Sequence, residues 1–164
     1  MSEPFRWPGV VKLIHWSVVV LFFSNQFLFG GGSQYHTYAG WGILLLVCLR
    51  LLYGMTFAKT PARLRDICFS IKGVEHHLQE LKEGNYQPHG HNPLGAMAVW
   101  FMWTMLLLCA FTGWLQDTDF GLEQGVYEWH SLLVNSLFYF IGIHLLAIVI
   151  TSLFSRKNLV KSML

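Results

Sequence analysis

Four stretches of the chain are apolar on every side. They run from about Val10 to Phe29, Tyr38 to Phe57, Leu94 to Leu115 and His130 to Phe154. None alternates with a period of two, and none shows the narrow apolar stripe of a helix resting on a soluble core. At ~1.5 Å per residue, about 20 apolar residues cross the ~30 Å hydrocarbon layer of a bilayer. Each stretch is therefore predicted to be a membrane-spanning helix. Inside lipid a helix satisfies its own backbone hydrogen bonds, which an open strand cannot do. Four spans joined by fairly short connections predict an all-α integral membrane four-helix bundle.

The polar positions mark the breaks. Gly30-Gly31-Gly32-Ser33 closes the first span, and His36 opens the second. Between the second and third spans the pattern changes. Thr60-Pro61 has the form of an N-cap followed by the first helical residue. Leu64, Ile67, Ile71, Val74, Leu78 and Leu81 then recur every three or four positions, with charged residues between them. This predicts an amphipathic helix lying on the membrane surface, ended by Gly84-Asn85. A polar loop, Tyr86 to Asn92, leads to Pro93.

Composition agrees. Of 164 residues, 54% are hydrophobic and 12% are charged, against about a quarter charged in a soluble domain. The chain is read as one small membrane domain over residues 1–164. No small-residue cleavage site follows the first apolar run, so that run is expected to be retained as a span. Trp7 and Trp16 are expected at the membrane interface. Cys48 and Cys109 fall in apolar runs and are expected to pack as small hydrophobes. There is no C-x-x-C-H, so nothing marks covalent haem attachment.

Where the charges lie matters more than their sum. All 11 Lys and Arg residues fall in the N-terminus, the 50–82 region or the C-terminal tail. The positive-inside rule then places both termini and the amphipathic helix in the cytoplasm. The opposite connections carry Asp117, Asp119, Glu123 and Glu128 with no cation. Lipid is the expected surroundings, and no nucleic-acid partner is expected.

The candidate chemistry lies in the histidines. His130 and His144 are fourteen residues apart in the fourth span, which puts them on nearly the same helix face about 21 Å apart. His15 lies about the same distance below Phe29, and His36 sits at the outer end of the second span. Antiparallel neighbours place His36 level with His130, and His15 level with His144. Each pair would supply the two axial imidazoles of a six-coordinate haem. The plain reading of each histidine alone is a hydrogen bond to a neighbouring helix. It does not explain why four fall at two depths. A histidine-lined metal transporter would want carboxylates beside them, and no Asp or Glu lies in the middle of any span.

Arg50 lies fourteen residues after His36, on the same predicted face. A buried cation there suits a haem propionate, and the alternative is that it snorkels to the headgroups. Lys12 is a weaker candidate for the same role, nearer the interface. Gly40, Gly42, Gly95, Gly113 and Gly142 would admit a flat macrocycle, or simply allow close helix packing.

KLIHWS at 12–17, the histidine before AGWGILLLVCLRLLYG, GHNPLGAMAVW at 90–100, the fourth-span histidine pair and RKNLVKSM near the end resemble prokaryotic cytochrome b561. The resemblance is strongest to the branch shared with the b-type cytochrome subunit of nickel–iron hydrogenases. It implies a bacterial inner-membrane cytochrome with two haem b groups. The family's axial ligands fall on His15, His36, His130 and His144. It also implies electron transfer between a quinone pool, ubiquinone or menaquinone, and a redox partner such as a periplasmic c-type cytochrome. A membrane-anchor subunit of a larger hydrogenase-like oxidoreductase and a superoxide:quinone oxidoreductase stand as alternatives. Four spans rather than five favour a small periplasmic partner. His91 and Asn92, at the entrance to the third span, are candidates for a quinone site, or cap that helix. The acidic stretch from Asp117 to Glu128 would dock a basic cytochrome, or simply keep a loop solvated.

Overall fold

The computed structural model describes residues 6–67, 79, 93–155 and 158–164. Among them the elements are helical: α1 Gly9–Phe27, α2 Gln34–Thr56, a 3-10 turn Leu64–Asp66, α3 Pro93–Leu115, α4 Asp119–Glu123, α5 Val126–Ser155 and α6 Leu159–Met163. α1, α2, α3 and α5 are each long and apolar enough to cross a membrane. The four expected spans are therefore present as four helices.

Their faces follow helical period. On α2, Ala39, Ile43, Val47 and Arg50 are buried, and His36 stands on the same line one turn earlier. On α5 the less exposed line is His130, Val134, Leu137, Ile141, His144 and Ile148. Leu137 at its centre is 1% exposed, whereas Tyr139 beside it is 72% exposed. Most exposed residues of α5, among them Leu132, Ile143, Leu146 and Leu153, are also apolar, the exceptions including Glu128, Asn135 and Ser136. A soluble protein would place polar groups there, and lipid is the solvent such a surface fits. Cys48 is exposed on α2, so it lies on the apolar exterior instead of packing internally.

The chain forms two compact units. One comprises Leu13–Arg50 and Phe101–Phe140. Within it segments of all four long helices touch. Leu21 of α1 meets Gly42 of α2. Phe23 and Phe27 of α1 hold the ring of Phe138 on α5 edge-on, at 6.4 and 5.9 Å. Phe101 of α3 lies 4.2 Å from Phe140 of α5. The aromatic and small residues let helices approach in a medium where packing, rather than water exclusion, drives association.

The other unit comprises Met1–Lys12, Leu51–Trp100 and Ile141–Leu164. Trp7 is buried with Val11, Ala58 and Ala62, against Tyr53 and Met163, and its backbone N–H donates to the Ser162 carbonyl at 3.2 Å. Trp7 is thus a core residue here. The indole N–H of Trp100 donates to the Ile67 carbonyl at 2.9 Å.

The predicted helix start at Thr60-Pro61 is not formed. Residues 60–63 make a turn, in which Ala62 N–H donates to the Lys59 carbonyl. Arg63 is extended, with φ −67° and ψ 145°, and its Nε donates to the Ala58 carbonyl at 3.1 Å. Burial of Ala62 and Ile67 turns the chain inward where local capping signals favoured a helix. The rest of the expected amphipathic helix lies outside the described residues, apart from Gln79.

Candidate functional site

Local sequence sets each imidazole. Gly32 has φ +77°, a left-handed conformation that glycine adopts without steric cost. Ser33 follows and caps α2, its Oγ accepting from the His36 N–H at 3.2 Å. His36 is therefore fixed in the first turn of α2. Asn25 of α1 donates its side-chain N–H to the His36 carbonyl at 3.2 Å, tying the two helices at that level.

His130 is placed by a second turn. Thr118 caps α4, accepting from the Gly121 N–H at 3.1 Å. Gly125, with φ +63°, redirects the chain into α5. That helix starts at Val126, so His130 stands in its second turn rather than at the expected span end.

The two rings meet. The centroids of His36 and His130 are 6.3 Å apart, with their planes at 76°. The Thr112 hydroxyl on α3 lies 3.1 Å from His130 Nδ1. Gly113, the next residue, leaves the space the ring fills, since a Cβ there would come within 3.2 Å of His130 Cε1. His36 Nδ1 is buried with no hydrogen-bond partner among the described residues.

Further along α2, Arg50 is 4% exposed. Its guanidinium carbon lies 5.3 Å from the centre of the Trp103 ring on α3, a cation–π arrangement. His15 is half-buried on α1 with its ring edge-on to Trp16 at 5.5 Å. His144 is half-buried on α5, and Lys12 is half-buried in the first turn of α1. His91 and Asn92 lie outside the described residues. Asp117, Asp119, Glu123 and Glu128 are all exposed. Of the candidate glycines, Gly113 borders the imidazole, Gly42 packs on Leu21, and Gly40 and Gly142 border open space.

The sequence profile of prokaryotic cytochrome b561 matches residues 6–164, nearly the whole chain. The chain belongs to that family. No curated protein and no solved structure matches it. Prokaryotic cytochromes b561 bind b-type haem and carry electrons across a membrane.

The residues of this cytochrome fit that group. An imidazole nitrogen lies ~2 Å from a first-row metal, and the ring centre sits about 1 Å behind it. Two imidazoles on opposite sides of one iron therefore have centroids about 6 Å apart, close to the His36–His130 spacing. Haem iron needs only two protein ligands, because the macrocycle supplies the other four. Among the described residues no group of three or more His, Cys, Asp or Glu is placed to hold a bare metal ion. Sequence reasoning passed over Thr112, Trp103, Asn25 and the Ser33 cap. Only the cap carried a local signal, a serine directly after a glycine run and before an apolar stretch.

Proposed function

We propose that this cytochrome moves electrons through two b haems between the membrane quinone pool and a periplasmic redox partner. The observation that carries the proposal is the His36–His130 pair, two half-buried imidazoles on separate helices at the spacing of axial ligands. His36 and His130 are assigned to one haem. On helical spacing alone, His15 and His144 are assigned to the other. When bound, haem supplies a one-electron iron couple.

The protein's own groups do the rest. Gly113 gives the His130 ring room, and Ser33 and Asn25 fix the backbone that carries His36. Arg50, buried against Trp103, offers positive charge to a carboxylate of the prosthetic group, and Lys12 offers a second, weaker one. The apolar helix exteriors hold the bundle in lipid. Positive residues at the termini and over 50–82 keep both termini in the cytoplasm. His91 and Asn92 form the quinone site at the cytoplasmic entrance to the third span, where a histidine exchanges protons near neutral pH. The exposed carboxylates Asp117, Asp119, Glu123 and Glu128 face the periplasm and steer a basic c-type cytochrome by complementary charge.

The test is a reduced-minus-oxidised spectrum of the purified chain in proteoliposomes. Quinol is added first and a basic cytochrome c afterwards. The expected result is a b-type α-band that grows with quinol and bleaches with cytochrome c, more slowly at high salt. A colourless protein would contradict the proposal, as would a band that neither reagent moves.

A further inference from the structure

Thr112 lies in the interior of α3, where a threonine in lipid ordinarily returns its proton to the preceding turn. It does so here, donating to the Leu108 carbonyl at 2.8 Å, with the Cys109 carbonyl at 3.2 Å. A hydroxyl carries one proton and two acceptor sites. With that proton directed at the carbonyls of its own helix, the oxygen that lies 3.1 Å from His130 Nδ1 has only lone pairs to offer. The hydrogen of that contact must come from the imidazole. Nδ1 then carries the N–H, and Nε2 carries the free lone pair.

We infer that Thr112 is a positioning residue for the haem site: its hydroxyl accepts from Nδ1–H of His130 and so fixes the ring's rotation and tautomer and its strength as an iron ligand. The inference rests on the assignment of His130 as an axial ligand. An acceptor on the far nitrogen of a ligating histidine raises the basicity of the ligating nitrogen. A more basic ligand favours the ferric state, so Thr112 lowers the reduction potential of the haem it serves. The geometry supports a fixed ring. Gly113 sits against it, with Cε1 and Nδ1 3.2 and 3.6 Å from where a Cβ would lie. The ring has one close hydroxyl and one tight wall, from consecutive residues of α3, and the Cys109 backbone carbonyl of the preceding turn stands beside that hydroxyl. His36 differs, since its Nδ1 has no such partner among the described residues. The pair is therefore asymmetric, with its electronic control on the α5 side.

The experiment is an optical redox titration of the purified holoprotein, wild type beside Thr112→Val and Thr112→Ser. Valine keeps the shape and removes the hydroxyl acceptor while leaving the Cys109 carbonyl in place; serine keeps the hydroxyl. The expected result in Thr112→Val is an upward shift of one haem's midpoint. At fixed ambient potential its ratio of reduced to oxidised haem rises about tenfold, which is about 59 mV for one electron. The second haem stays at its wild-type value, and Thr112→Ser restores the first. Loss of one haem in Thr112→Val with retention in Thr112→Ser supports the same role. An unchanged midpoint in Thr112→Val overturns the inference, as does an equal shift in both variants or loss of haem from both. Those outcomes would leave the two-haem reading standing; a wild-type protein without haem would instead sink that reading.

Discussion

Two levels of α2 make an instructive comparison. Both belong to one buried face, fourteen residues apart. At the first level, His36 meets His130 through rings alone, and the surrounding groups are uncharged: Ser33, Asn25, Thr112 and Gly113. At the second, Arg50 lies over the broad face of Trp103 and is more deeply buried. One level gathers neutral groups around two imidazoles. The other holds a positive charge on an aromatic surface, where desolvation strengthens the attraction. Neutral donors suit an iron already carrying a dianionic macrocycle, whereas a buried cation suits that macrocycle's carboxylates. On the proposed assignment, the two levels would serve different parts of the same kind of prosthetic group.

The comparison can be broken most sharply at the imidazoles. On the proposed assignment His130→Ala removes one of two ligands, and the haem content of the purified chain should fall by about half, measured by pyridine haemochrome against protein. An undiminished haem content would detach the ring pair from haem binding.

Arg50→Gln should act on the other level only. Removing a positive charge disfavours the added electron, so one haem's midpoint should fall, with about a tenfold change in its reduced fraction at fixed potential. The haem at the His36 level should keep its midpoint, and an equal shift of both would erase the distinction between the levels.

Gly113→Ala places a methyl against the His130 ring. Overpacking of this kind costs about 1–3 kcal/mol, visible as a lower thermal midpoint and a perturbed α-band from one haem. Retention of both would mean that the ring moves freely.

The smallest effect belongs to the scaffold. Ser33→Ala removes the α2 cap at a cost of about 1 kcal/mol, and Asn25→Ala removes an interhelical bond worth about 0.6–1.7 kcal/mol. Both should lower the stability of the holoprotein while leaving the two midpoints in place, as a combined thermal and redox titration would record.

Much of this was legible in the sequence because membrane helices are long and their period is strict. The four spans needed only apolar length. The shared face of His36 and Arg50 followed from fourteen-residue spacing, and the meeting of His36 with His130 followed from counting depths along antiparallel neighbours. The missing parts have physical reasons. Thr112 reads in sequence as an ordinary back-bonding threonine, and only its second, interhelical contact gives it a role. Gly113 is one of several glycines in the spans, and only contact with the His130 ring separates it from Gly40 and Gly142. Trp103 is one of several tryptophans, and nothing local places Arg50 over it. At Thr60-Pro61 the local signal and the outcome conflict. Burial of Ala62 and Ile67 turns the backbone where capping chemistry alone favours a helix.

The central claim is that His36 and His130 together hold one haem while a second is held elsewhere in the chain. The most direct measurement is the haem-to-polypeptide ratio of the purified protein set beside that of His36→Ala. A ratio of about two falling to about one, with the remaining haem still six-coordinate by its spectrum, is the result this account predicts. A wild-type ratio near zero, or an unchanged ratio in the variant, would contradict it.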